Sequence, residues 1–116
     1  MHTRVEKKNG ISIITLTGDC LLDQDHSRIR DTVYELIRGK NTEVVIDLRG
    51  VQHMNSCGLG ALVSAYTSLC RVGGHLRLAA MGRFIDDLMN ITHLHTVFQI
   101  YPSVDEAIAQ SSAGKL

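Results

Sequence analysis

The sequence carries no surplus of either charge: twelve Lys and Arg are offset by twelve Asp and Glu. Nothing in the composition therefore argues for nucleic acid or an anionic membrane surface as a partner. No apolar run approaches the ~18 residues that a membrane span needs. The N-terminal stretch MHTRVEKKNG has no apolar signal-peptide core, so a cytoplasmic location is expected. Cysteines are few: Cys20, Cys57 and Cys70 are odd in number and lack CxxC spacing. That pattern excludes a disulfide framework and a zinc site of the usual spacing. There are no repeats and no internal linker.

What remains is an ordinary globular composition. The 116 residues are 44% hydrophobic and 21% charged, which suits one domain with one core. That domain is expected over residues 1–110, with 111–116 as a flexible tail. Asn9-Gly10 separates two extended runs, Thr3 to Lys8 and Ile11 to Thr17. The pair tolerates the positive φ angles of a type I′ turn and predicts a β-hairpin. Gly18 to Asp25 reads as a loop. Ile29, Val33, Leu36 and Ile37 form one helical stripe, predicting a helix over 27–38 capped by Asp25 or Ser27 and ended by Gly39 in a left-handed conformation.

EVVIDL, residues 43–48, reads as a buried strand. Leu59, Leu62, Ala65, Tyr66 and Leu69 place a second helix over about 57–72, stopped by Gly73-Gly74. His75 to Ala80 alternates as a strand. A third helix over 83–90 carries Phe84, Ile85 and Leu88, and a short strand covers 97–100. The one proline, Pro102, precedes Ser103-Val104-Asp105-Glu106, a capping-box pattern that opens a last helix to about Gln110. The order is β-β-α-β-α-β-α-β-α. It predicts an α/β fold: a small mixed sheet of about five strands, an N-terminal hairpin, and about four helices packed against the sheet.

The stretch MNSCGLG, residues 54–60, joins a strand to a helix. Ser56 is expected at the helix N-cap, its hydroxyl accepting from a backbone N–H two or three residues on. A phosphate on Ser56 would meet the positive end of the helix dipole, worth roughly 0.3–1 kcal/mol. It would add about −1.5 to −2 charges to the surface. The structural alternative is that Ser56 is a helix cap and nothing more. Gly58 and Gly60 bear on the choice, because glycine inside a helix costs roughly 1 kcal/mol relative to alanine. Two glycines in one turn imply either close packing on the sheet or close approach by a partner, and the sequence leaves both open.

Sharper chemistry finds less support. A phosphate-binding P-loop needs Gly-Lys-Ser/Thr, and Gly60 is followed by Ala61-Leu62. A hydrolase elbow needs glycine two before its serine, where Met54 stands. Cys57 at a helix N-terminus permits a lowered pKa and a redox role, against a half-buried small cysteine as the plainer reading. His93-x-His95 lacks a second ligand pair, so no metal site is expected. Asp19, Asp23 and Asp25 read as a solvated, capping loop.

Together these features resemble the STAS domains, and among them the bacterial anti-sigma factor antagonists. The resemblance is carried by EVVIDLRGVQHMNSCGLGAL, by the helix ending in VGG, by HLRLAAM and by ITHLHTVFQIYPSVDEAIA. The family pattern Asp-Ser-Ser/Thr-Gly-Leu-Gly stands here as Asn55-Ser56-Cys57-Gly58-Leu59-Gly60. Two positions depart from it. Asn55 keeps the shape and acceptor oxygen of aspartate without its charge, and Cys57 replaces the second hydroxyl. The family's acidic loop after the second strand, Gly-Glu-Leu-Asp, matches loosely as Gly18-Asp19-Cys20-Leu21-Leu22-Asp23.

The resemblance implies a partner-switching protein rather than an enzyme. It would bind an anti-sigma factor that is also a serine kinase of the histidine-kinase-like ATPase type. The kinase would phosphorylate Ser56 and release the protein; a PP2C-type phosphatase would restore it. ATP and Mg would belong to the kinase, with no cofactor or metal in this chain. Asp19, Asp23, Asn55, Cys57, Gly58, Leu59 and Gly60 are then the expected partner-binding residues. No direct nucleic acid or membrane contact is expected, and the chain is expected to be a monomer or weak dimer. The alternative is a STAS scaffold or ligand-sensing module that works without phosphorylation; catalysis through Ser56 or Cys57 ranks last.

Overall fold

Alternation in the central strands dictates how the sheet is covered. In β2 (Ile11–Thr17) both Ile14 and Leu16 on one face and Ile11 and Ile13 on the other are buried. The same holds for β3 (Glu43–Gly50), with Val44, Ile46 and Leu48 opposed to Val45, and for β4 (His75–Ala79), with Leu76 and Leu78 opposed to Arg77 and Ala79. A strand apolar on both faces needs cover on both. A computed structural model describes residues 1–111 and supplies that cover. Of the tail expected at 111–116, Ser111 is instead buried, its N–H donating to Ile108 at 3.1 Å, and 112–116 lie outside the described residues.

The remaining elements are β1 (His2–Lys8), α1 (Asp23–Arg38), α2 (Ser56–Arg71), α3 (Arg83–Ile91), a 3-10 turn at Leu94–Thr96, β5 (Gln99–Tyr101) and α4 (Val104–Ala109). Among the described residues the strands form one sheet in the order β1-β2-β3-β4-β5. β1 is antiparallel to β2, and every later pairing is parallel. Parallel neighbours need crossover connections, which α1, α2 and α3 provide. Their apolar stripes share one core with Ile14, Leu16, Val44, Ile46, Leu48, Leu76 and Leu78. α4 lies on the opposite face, where Ala107 and Ile108 meet Ile11, Ile13, Val45 and Ala79.

The hairpin turn forms as its sequence predicts, with Asn9 at φ 55° and Gly10 at φ 78°. Helix ends differ from expectation. α1 begins at Asp23, four residues early, behind Leu22 as N-cap. Asp25 is not its cap; from inside the first turn its carboxylate accepts from the N–H of Leu21 at 3.2 Å and Leu22 at 3.1 Å. At the other end Gly39 has φ −83°, and Lys40 takes the left-handed conformation at φ 63°. Lys40 N–H donates to Ile37 and Asn41 N–H to Leu36, a Schellman pattern placed one residue later than the glycine suggested. Phe84, assigned to the apolar stripe of α3, is 49% exposed; Met89 takes the buried place beside Ile85.

Candidate switch and docking site

Two connections run side by side at the carboxyl ends of β2 and β3. Gly18 N–H donates to Gly50 at 2.9 Å, Cys20 N–H to His53 at 3.2 Å, and Asn55 N–H to Cys20 at 3.4 Å. Val51 and Met54 are buried beneath the second connection. The chain thus leaves β3 anchored, and α2 starts at a fixed point beside the β2–α1 loop.

The N-cap of α2 is Asn55, not Ser56. Asn55 Oδ1 accepts from Cys57 N–H at 3.0 Å and Gly58 N–H at 3.2 Å. Because asparagine does this work, the expectation that Ser56 caps the helix is corrected. Ser56 is the first helical residue, solvent-exposed, and its hydroxyl has no side-chain partner among the described residues. The two glycines also separate. A Cβ on Gly58 would clash with Met54 Cγ and stand 2.9 Å from the Cys20 carbonyl oxygen, whereas one on Gly60 would meet only His26 Cε1 at 3.9 Å. Gly58 is required by packing; Gly60 is not.

Cys57 is half-buried, and its thiol faces Asp23 Oδ1 at 3.4 Å, with the Leu22 carbonyl at 3.8 Å and His26 Nδ1 at 4.0 Å. Burial, then the Asp23 hydrogen bond and charge, push its pKa up. The helix-end activation considered from sequence is outweighed, since a raised pKa disfavours the thiolate. Cys20 is pushed to about 11, first by burial and then by the charge of Asp25.

The three aspartates are not one solvated cluster. Asp19 is exposed; its Oδ1 accepts from His53 N–H at 3.1 Å and its Oδ2 lies 3.4 Å from His53 Nδ1. Asp23 is exposed and holds Cys57. Asp25 is buried, 3.6 Å from the Met1 amino group. Burial pushes its carboxyl up, but the N–H groups of Leu22 and Leu21 and the Met1 charge leave it below the ordinary carboxylate range.

Of the residues expected to bind a partner, Asp19, Asp23, Asn55 and Cys57 are thus brought around Ser56, with Gly60 half-exposed one turn on. Gly58 and Leu59 turn into the core. Three apolar residues join the same rim: Leu21 at 44% exposure, Leu22 at 56%, and Phe84, which packs edge-on to His53 with ring centroids 4.9 Å apart. The signal for Leu21 and Leu22 in the sequence was that apolar pair inside an otherwise polar loop, whereas Phe84 was hidden in the apolar pattern of α3. His93 and His95 have ring centroids 6.1 Å apart. Among the described residues no group of three or more His, Cys, Asp and Glu could hold a metal, and no helix is long and apolar enough to cross a membrane.

This fold, with a serine free at the start of α2, defines a class. The STAS domain model matches residues 2–107, and the chain belongs to the STAS domain family. It is similar to the anti-sigma F factor antagonist of Paenibacillus polymyxa, 25% identical over 112 residues, covering 95% of this chain and 94% of that one. Among solved structures, an anti-sigma factor antagonist from Mycobacterium paratuberculosis superposes with a TM-score of 0.79 at 26% identity, covering 93% of this chain and 91% of that one. The Bacillus cell fate determinant SpoIIAA in its phosphorylated form gives 0.73 at 18% identity, covering 94% and 98%.

Proposed function

We propose that this STAS domain is an anti-sigma factor antagonist, switched off when Ser56 is phosphorylated. The observation that carries the reading is the division of labour at the start of α2. Asn55 caps the helix, so the exposed Ser56 hydroxyl can be modified without uncapping it. A phosphate there would sit at the positive end of the helix dipole. It would also place about −1.5 to −2 charges among Leu21, Leu22, Asp19 and Asp23, changing what can dock. The names of the Paenibacillus and Mycobacterium proteins support the antagonist assignment, and the phosphorylated form described for SpoIIAA supports the switch.

The partner is an anti-sigma factor with serine kinase activity of the histidine-kinase-like ATPase type, which brings the ATP and Mg. A PP2C-type phosphatase reverses the modification, and the exchange takes place in the cytoplasm. This chain is substrate and ligand rather than catalyst, and holds no cofactor.

The test is incubation with the anti-sigma kinase encoded in the same genome and ATP, followed by mass spectrometry. One phosphate on Ser56 is expected, with none in Ser56→Ala. Ser56→Ala is expected to bind the kinase still, and Ser56→Asp to bind it weakly. A stable complex indifferent to ATP, with Ser56 unmodified, overturns the switch and favours a scaffold role.

A further inference from the structure

Asn55 makes a third side-chain bond that capping does not require. Its Nδ2 donates to the Leu21 carbonyl at 2.9 Å, across 34 residues of sequence. The orientation of the amide is fixed by its neighbours: two N–H donors, Cys57 and Gly58, face one end, and a carbonyl oxygen faces the other. A flipped amide would oppose donor to donor and oxygen to oxygen. Leu21 is followed at once by Leu22 and Asp23, the residues that stand over Cys57. We infer that Asn55 is a positioning residue for partner recognition: its amide clasps the β2–α1 loop to the start of α2 and sets where Leu21, Leu22 and Asp23 stand relative to Ser56.

The inference rests on the proposed switch, because it is the partner kinase that reads this arrangement. Asparagine suits both tasks for a simple reason. Serine at position 55 caps α2 as well but has no donor that reaches the Leu21 carbonyl. Aspartate caps α2 too, yet presents an acceptor to the carbonyl where a donor is needed. Both substitutions therefore keep the helix start and open the clasp, one without adding charge and one with it.

The experiment compares Asn55→Ser and Asn55→Asp with the unmodified sequence in two measurements. Amide hydrogen exchange on the free protein is expected to quicken by about five- to tenfold in both variants at Cys20, whose N–H bridges the β2–α1 loop to His53, the effect of losing one hydrogen bond in a local opening. Phosphotransfer from a kinase that modifies Ser56 is expected to show a raised KM for both, with kcat within about twofold, the pattern of lost docking rather than lost chemistry. Exchange in Asn55→Ser equal to that of the parent chain overturns the clasp. A quickened loop with unchanged KM in both variants overturns its role in recognition. A parent Ser56 left unmodified by the kinase overturns the switch itself, while the exchange comparison, made without any partner, stands or falls separately.

Discussion

Gly58 and Gly60 sit in the same helical turn for opposite physical reasons, and alanine substitution should separate them. A methyl at position 58 would lie 2.9 Å from the Cys20 carbonyl and 3.0 Å from Cys20 Sγ, atoms held by the paired loops. The helix-propensity gain of roughly 1 kcal/mol is then outweighed by overpacking, and Gly58→Ala should lose about 1–3 kcal/mol in denaturant unfolding. At position 60 nothing stands closer than 3.9 Å, so Gly60→Ala should gain about 0.5–1 kcal/mol in the same measurement. Asp25 calls for a pH series. Its carboxyl is held below the ordinary range, so its stabilisation is present above the ordinary carboxylate pKa and is lost as pH falls through the lower folded value. Asp25→Ala, which leaves the Leu21 and Leu22 N–H groups without their acceptor, should cost about 1–3 kcal/mol at neutral pH. The gap between Asp25→Ala and the parent chain should narrow as acid protonates the parent's carboxyl.

Elements were legible in the sequence where a local pattern decides them. Asn9-Gly10 needs no tertiary context to turn, and the stripe Leu59, Leu62, Leu69 points one way only. The start of α1 was not legible, because Asp23 to His26 offers no apolar residue to extend the period of Ile29 and Val33. Its first turn is held instead by the Asp25 carboxylate and the neighbouring loop. Likewise Asn55 and Ser56 are both good capping types, and only the position of α2 relative to the Cys20 loop chooses between them. That choice was the main thing hidden about the site: the motif located the serine, while its freedom depended on a neighbour's bonds. The face chosen by α4 was hidden too, since Ala107 and Ile108 would suit either side of the sheet. There the Ser103 hydroxyl accepts from Glu106 N–H at 3.2 Å. Ser103→Ala should therefore cost about 0.5–2 kcal/mol, read by chemical unfolding, with faster amide exchange in α4 before any change in β3.

Across the whole molecule the loops after β2, β3 and β4 meet along one rim, where Asp19, Leu21, Leu22, Asp23, His53, Ser56 and Phe84 are exposed. The formal net charge at pH 7 is zero, so no global field opposes an incoming partner, and a switch on this rim must act locally. Two local mechanisms are open to a negative group at position 56. Like-charge repulsion acts through solvent and weakens as the screening length drops from about 10 Å at 0.1 M salt to about 3 Å at 1 M. Desolvation acts because the charge must leave water for a contact lined by Leu21, Leu22 and Phe84, and salt does little to relieve it. The half-exposed apolar side chains around Ser56 favour the second. The fold should tolerate the charge, with Ser56→Asp unfolding within about 1 kcal/mol of the parent because the helix dipole favours an anion there. Its affinity for the anti-sigma partner should fall well below that of Ser56→Ala. Measured by titration calorimetry, the ratio of the two affinities should change by less than about threefold between 0.1 and 1 M salt, where interactions between exposed charges would be largely screened. A ratio that collapses towards one at high salt would assign the switch to repulsion from a negative partner surface instead.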